Sequence, residues 1–268
     1  SGRKFGSFSS MVRGVELMRA DGELVTIDAS DPLRMRAASL ALGLLGVLTK
    51  ITLATGPAFK LREQNAAMSM EECLALFEET EQARRNAEFW WLPALDTCVL
   101  KTFDETDDEP FRDDLPEAAP GTLERYLRPD YVDWSWRAYP SLRNTRFVEI
   151  EYTLPLSEGP AALREIRDLV QTTHPECTWA VEFRTQPGED PLLSPTQGGE
   201  SATISLHQAI ETGDAFTVTP GCDKRFETCR AKFDNGANFR GFPHMPGNDW
   251  VMSYPASGEV HDGASRLA

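Results

Sequence analysis

From residue 147 to residue 206 the pattern of the sequence runs strand, helix, strand, strand. FVEIEYTL (147–154) alternates like a strand. Gly159–Thr172 carries Ala162, Ile166, Leu169 and Val170 on one side at helical spacing. Trp179–Arg184 and Ala202–Leu206 read as two further strands. That order predicts an α+β fold, with helices on one face of an antiparallel sheet.

The front of the chain has its own signals. Val15–Ile27 predicts a β-hairpin, with Asp21-Gly22 as a tight two-residue turn between VELMRA and ELVTI. Asp31 and Pro32 predict a helix start, with Leu33–Leu42 as its body and Gly43 as its end. Val47–Ala54 predicts a strand. Ser69–Arg85 predicts the clearest helix, because Ser69 is followed three residues on by Glu72, a capping box. Phe89–Phe103 reads as one strand around Pro93, and the acidic Thr106–Gly121, with Pro110, Pro116 and Pro120, as an exposed loop. From Gly213 onward periodicity vanishes and Gly, Asn, Pro and Phe dominate.

The charge balance narrows the function. With 42 acidic against 27 basic residues the formal net charge is −15, which argues against nucleic acid as the main partner. The most apolar run, Ala37–Leu48, falls short of the roughly 18 residues of a membrane span. No basic-then-apolar segment opens the chain, an arrangement expected of a cytoplasmic protein. The five cysteines are an odd number, and Cys73, Cys98 and Cys177 are scattered as reduced thiols would be.

Three groups of residues could carry chemistry. Ser1–Gly14 (SGRKFGSFSSMVRG) is small and polar, and its backbone N–H groups could cradle phosphate; a plain surface loop has the same composition. Gly43 and Gly46 fit either a helix end or a close backbone approach to a flat ligand. Glu182 and Arg184 lie two apart on a strand and so share a face. A carboxylate beside a guanidinium can bind a polyol, although the same spacing also fits a surface ion pair. His207, at the end of a later strand, could join them as donor or base, or serve only structure.

The order of these pieces resembles that of the aldonolactone and alditol oxidases, a branch of the vanillyl-alcohol-oxidase-like flavoproteins. FGSFSSMVRGVELMRADGELVTID is similar to the stretch after that family's His-Gly-Thr-Gly phosphate loop. DPLRMRAASLALGLLGVLTKITL resembles its helix, Gly-x-x-Gly turn and closing strand. AEFWWLPALDTCVLKTFDET, FVEIEYTLPLSEGPAALREIRDLV and WAVEFRTQPGEDPLLSPTQGGESATISLHQ resemble three segments of its substrate domain, over about residues 1–208 in all. The resemblance implies a partial FAD-binding domain (1–58), an antiparallel-sheet substrate domain (59–210) and a loop-rich tail of different origin (211–268). It implies FAD as cofactor, hydride transfer from a carbinol carbon to the flavin, and oxygen as acceptor. The implied substrate is a small sugar lactone or polyol. By resemblance Glu182, Arg184 and His207 are the catalytic residues, while Ser1, Gly2, Gly6, Ser7, Ser9, Ser10, Gly43, Gly46 and Val47 lie along FAD.

Two departures accompany the resemblance. The family's front half, with its phosphate loop, and its closing segment have no counterpart, which predicts weak FAD binding by this chain alone. The tail GDAFTVTPGCDKRFETCRAKFDNGANFRGFPHMPGNDWVMSYP instead resembles the end of a tail-hub protein of phages and gene transfer agents. There Cys222 and Cys229 could be two thiolate ligands of a metal or iron–sulfur site, which needs about four, or two ordinary thiols. A tail-hub or assembly segment and an inert fusion fragment are therefore the alternative functions. The sheet edge exposed by the missing half is an open route to a dimer, and peripheral membrane association is left open.

Overall fold

A computed structural model describes residues 2–111, 118–128, 130–140 and 147–209. The segment from 210, with Cys222 and Cys229, lies outside them, as does Ser1. The described residues build two antiparallel sheets. In the first, β1 (Val12–Met18) lies between β2 (Leu24–Asp28) and β3 (Val47–Leu53). The hairpin exists where predicted, but its turn is longer. Arg19 N–H donates to the Glu23 carbonyl at 2.9 Å, so Ala20, Asp21 and Gly22 form a three-residue loop. Gly22 has φ +85°, the left-handed residue such a loop requires.

Helix α1 spans Pro32–Ala38, with Asp31 accepting from Arg34 N–H as its cap and Pro32 in its first turn. It ends four residues before the predicted Leu42. The chain turns there, and Leu42 itself takes φ +49°, which no helix accommodates. Val15, Leu17, Ile27 and Ala38 form the small core under this sheet.

The second sheet has seven strands in the order β7-β4-β6-β5-β9-β10-β8. They are β4 (Lys60–Met68), β5 (Asn86–Leu92), β6 (Thr97–Thr106), β7 (Tyr131–Trp134), β8 (Phe147–Pro155), β9 (Val181–Gln186) and β10 (Ser201–Ala209). The long helices α2 (Met70–Ala83) and α5 (Gly159–Thr173) cover one face. Helix α2 carries the predicted capping box between Ser69 and Glu72. Two short helices, α3 (Leu123–Tyr126) and α4 (Ser135–Ala138), were not foreseen.

The stretch Phe89–Phe103 is a hairpin, not one strand. Pro93–Asp96 make its turn, Asp96 takes φ +49°, and its carboxylate accepts from Trp91 Nε1 at 3.1 Å. The core lies between the sheet and the two long helices, around Phe77, Phe89, Trp91, Leu163, Phe183 and Ile204. Phe89 stacks on Phe183 with centroids 4.8 Å apart, and Phe77 meets both edge-on, a favoured aromatic geometry. Cys73 and Cys98 are buried here as free thiols. Contact with Cys98, aided by burial, pushes the Cys73 thiol far above the ordinary cysteine value, so Cys73 stays protonated. No helix among the described residues is long and apolar enough to cross a membrane.

Candidate active site

Alternation along β9 divides its side chains between two environments. Val181 and Phe183 enter the helix-covered core. Glu182 and Arg184 therefore project together from the opposite face. The register then decides what surrounds them. Trp90 lies across from Glu182 on β5, and Phe89 from Phe183; continuing one step sets Glu88 across from Arg184. Glu88 pairs with Lys101 on β6, and Lys101 with Asn65 on β4. On the other side Arg184 faces Thr203, Glu182 faces Ser205, and Ser205 faces Glu151 on β8. One charged row thus crosses the sheet: Lys101, Glu88, Arg184. The row beside it holds Trp90, Glu182, Ser205 and Glu151.

Apolar packing closes both ends of this strip. Leu92, Val99 and Ala180 are capped by Leu123 and Tyr126 of α3. Leu61 and Phe103 are capped by Tyr131 of β7 and Ala138 of α4. Between the caps, Glu182 is 5% exposed and Glu63 2%, while Thr203 and Ser205 are buried.

The charges are tightly engaged. The Arg184 guanidinium donates through Nη2 to Glu151, and Ser205 Oγ donates to the same carboxylate. Burial works against charge on Arg184, yet Glu182, Glu151, Glu88 and Glu149 together outweigh it and raise its pKa. Its Nε is buried with no hydrogen-bond partner among the described residues. Lys101 Nζ lies 3.5 Å from Glu88 and 3.9 Å from Glu63. Burial would lift the Glu88 carboxyl, but Lys101 and Arg184 hold it below the ordinary value.

His207 sits on the same face of β10, across from Glu149 of β8. Its Nε2 is 3.2 Å from Glu149 Oε1, within ion-pair reach but off the line of a hydrogen bond. Its Nδ1 lies 3.3 Å from the Ala180 carbonyl. The structure therefore brings Glu182 and Arg184 side by side and puts His207 on the same face, at the end walled by Trp90 and Phe147.

The glycine- and serine-rich segment lies along the far end of β9. Gly2 N–H donates to the Thr185 carbonyl at 3.2 Å. Ser7 N–H and Ser9 Oγ both donate to Glu189, as does Ser194 Oγ at 2.9 Å. Ser10 Oγ turns back to the Ser7 carbonyl, and a side chain on Gly6 would meet Ser10 and Glu189. An internal carboxylate thus fills the anion-binding loop anticipated from the sequence. Gly46 makes a close approach, but to the Met18 carbonyl, 2.3 Å from where a Cβ would stand. Gly43 has no neighbour within 4 Å at its own Cβ position, and Val47 is 68% exposed.

Known proteins resemble this chain over most of its described length. Residues 51–145 match the family described as D-arabinono-1,4-lactone oxidase. L-gulono-1,4-lactone dehydrogenase of Mycobacterium tuberculosis is 25% identical, over 78% of this chain and 55% of that protein. D-arabinono-1,4-lactone oxidase of Candida albicans is 29% identical, over 80% of this chain and 39% of that protein. By sequence the chain is similar to sugar-lactone oxidases and dehydrogenases. It spans about half the length of the curated relatives it matches, 55% of the first.

The fold agrees. A solvent-stable cholesterol oxidase superposes with TM-score 0.65 at 15% identity, over 87% of this chain and 57% of that one. A chitooligosaccharide oxidase superposes with TM-score 0.55 at 10% identity, over 85% and 55%. Residues 196–249 match a second family, described as a phage conserved hypothetical protein. That match begins within the lactone-oxidase resemblance, ahead of the change in character at Gly213.

The sugar-lactone oxidases are flavin enzymes, and Arg184 offers a test of fit to such a group. A buried N–H without an acceptor costs free energy until a ligand oxygen meets it. Sequence reasoning missed Glu63, Glu88, Lys101, Glu149, Glu151 and Ser205. Glu149 and Glu151 were legible, since they alternate with apolar residues in FVEIEYTL. Glu63 was not, because β4 went unrecognised.

Proposed function

We propose that this chain forms the substrate-facing wall of an FAD-dependent oxidoreductase that oxidises a CH–OH group of a sugar lactone or polyol, with oxygen as acceptor. The observation that carries the reading is the Glu182–Arg184 pair on one face of β9, with Arg184 Nε buried and without a hydrogen-bond partner among the described residues. FAD, when bound, would supply the hydride acceptor. The chain's residues would do the rest. Arg184, held by Glu151, offers its spare N–H to a substrate or cofactor oxygen. Glu182 and Glu88 accept hydrogen bonds from substrate hydroxyls and so orient the reacting carbon. His207 with Glu149 forms the proton-bearing end of the strip. The walls at Trp90 and Tyr126 exclude water from one side.

Of the residues assigned to FAD by resemblance, Gly43 and Val47 keep open surroundings that suit a cofactor. Ser7 and Ser9 would first have to release Glu189. The two sheets support a division into a rear flavin-domain portion (1–58) and a substrate domain (59–210). The exposed outer strand β3 supports pairing with a second copy or another strand. A cytoplasmic location belongs to the same reading.

The test is titration of the full chain with FAD, followed by flavin fluorescence anisotropy, alone and with a polypeptide carrying the family's phosphate loop. Arg184→Met is expected to weaken binding about tenfold, the loss of one charge-assisted hydrogen bond. Absence of flavin binding in both settings would remove the reading.

A second reading, a phage-like assembly segment, is favoured by the match over 196–249. Iron and sulfide analysis tests Cys222 and Cys229, and flanking tail genes would favour it.

A further inference from the structure

Two buried atoms in one row of the open face lack a hydrogen-bond partner among the described residues: Arg184 Nε and Asn65 Oδ1. Asn65 stands on β4 across from Lys101 of β6, so the row of Lys101, Glu88 and Arg184 begins with it. It faces the open side because its neighbour Ala66 lies across from Leu100, which belongs to the helix-covered core.

Glu63, two residues back on β4, fixes the amide. Asn65 Nδ2 donates to Glu63 Oε1 at 3.0 Å, and Glu63 is 2% exposed, with Lys101 Nζ at 3.9 Å. An ionised carboxylate only accepts, so it takes the Nδ2 side of the amide and turns Oδ1 away. Lys101, the cation alongside, is drawn to Glu63 and Glu88 instead. The Asn65 carbonyl is therefore an oriented acceptor whose desolvation stays uncompensated until a donor reaches it.

We propose that Asn65 is a second anchor of the ligand site, accepting a hydrogen bond from a hydroxyl at the end of the ligand remote from the one held at Arg184. The inference rests on the reading of this face as a polyol site. Three strand spacings separate the two residues, roughly 14 Å. An extended six-carbon polyol with a hydrogen bond at each terminal oxygen bridges about that distance, and a four-carbon one falls about 2–3 Å short. The anchors have opposite sense: Arg184 Nε gives a hydrogen to a ligand oxygen, and Asn65 Oδ1 receives one from a ligand hydroxyl. A hydroxyl serves at either, so the pair reads the length of the chain and the presence of both terminal hydroxyls. Nothing in this depends on redox chemistry, so binding alone reports it.

The probes are galactitol and fucitol, the same six-carbon polyol without one terminal hydroxyl. Each is titrated into the full chain and read by calorimetry or ligand-observed NMR. Fucitol reaches one anchor and leaves the other empty, whichever way round it binds. Galactitol should bind the unsubstituted chain about five- to tenfold more tightly, the contribution of one hydrogen bond to a buried group.

Asn65→Ala removes the acceptor. It should weaken galactitol by the same factor and leave fucitol nearly unchanged, so the gap between the two closes. The comparison on the unsubstituted chain stands even if the variant does not fold. Equal binding of the two polyols there, or a gap that survives Asn65→Ala, would overturn the second anchor and leave the polyol site standing. Binding of neither would overturn the polyol reading itself, and the anchor with it.

Discussion

Glu81 gives the sharpest test of how the site is held. It continues the stripe Met70, Cys73, Phe77 along α2, so helical spacing carries a carboxyl into the core, where it is 5% exposed. There it accepts a hydrogen bond from Thr185 Oγ1. Thr185 neighbours Arg184 on β9, so this contact fastens the site strand to the helix behind it. Burial lifts the Glu81 carboxyl to about 7; Arg3 opposes the rise, and Glu200 and Glu78 add to it.

The sign follows from linkage. Between the ordinary value of 4.5 and about 7, the folded state holds a proton that the unfolded state has released. Stability therefore falls as pH rises through that window. The unscreened cost above the window is about 3.4 kcal/mol, which partial solvent access to the helix end reduces to roughly 1–2 kcal/mol. Glu81→Gln keeps an acceptor for Thr185 and removes the charge. It should stabilise the chain by roughly 1–2 kcal/mol at pH 8 and by much less at pH 5.5, read as urea midpoints at both pH values. An equal effect at the two pH values, or destabilisation at pH 8, would refute the reasoning.

Three further perturbations probe the frame. Gly46→Ala puts a Cβ 2.3 Å from the Met18 carbonyl at φ +137°, so it should cost about 2 kcal/mol or more and lower the thermal midpoint. Phe183→Ala removes a side chain packed between Phe77 and Phe89. It should cost about 3–5 kcal/mol, and an effect below about 1 kcal/mol in denaturant unfolding would contradict the described core. Ser69→Ala breaks both halves of the capping box and should cost about 1 kcal/mol, visible as a small drop in thermal midpoint.

Several elements were legible because their causes are local. The Ser69–Glu72 box, the Asp31–Pro32 start and the alternation of 147–155 each reside within a few neighbouring residues, and each appears where expected. The same locality explains the misses. KLREQNAAM shows no clean alternation, and β4 forms because β6 and β7 pair with it on both sides. Phe89–Phe103 read as a single strand because its two arms share one composition, and only their pairing reveals the turn.

The sequence by itself determined that Glu182 and Arg184 share a face, because a strand repeats every two residues. It also determined the lactone-oxidase resemblance, which needs only the order of motifs. The tertiary structure alone decided which residues stand beside that pair. Lys101, Glu88, Thr203 and Glu151 come from four different strands, and register between distant strands follows from packing against α2 and α5, not from any local pattern. It also decided that Glu189 fills the serine loop, since that contact joins residues 182 positions apart and no periodicity spans such a distance.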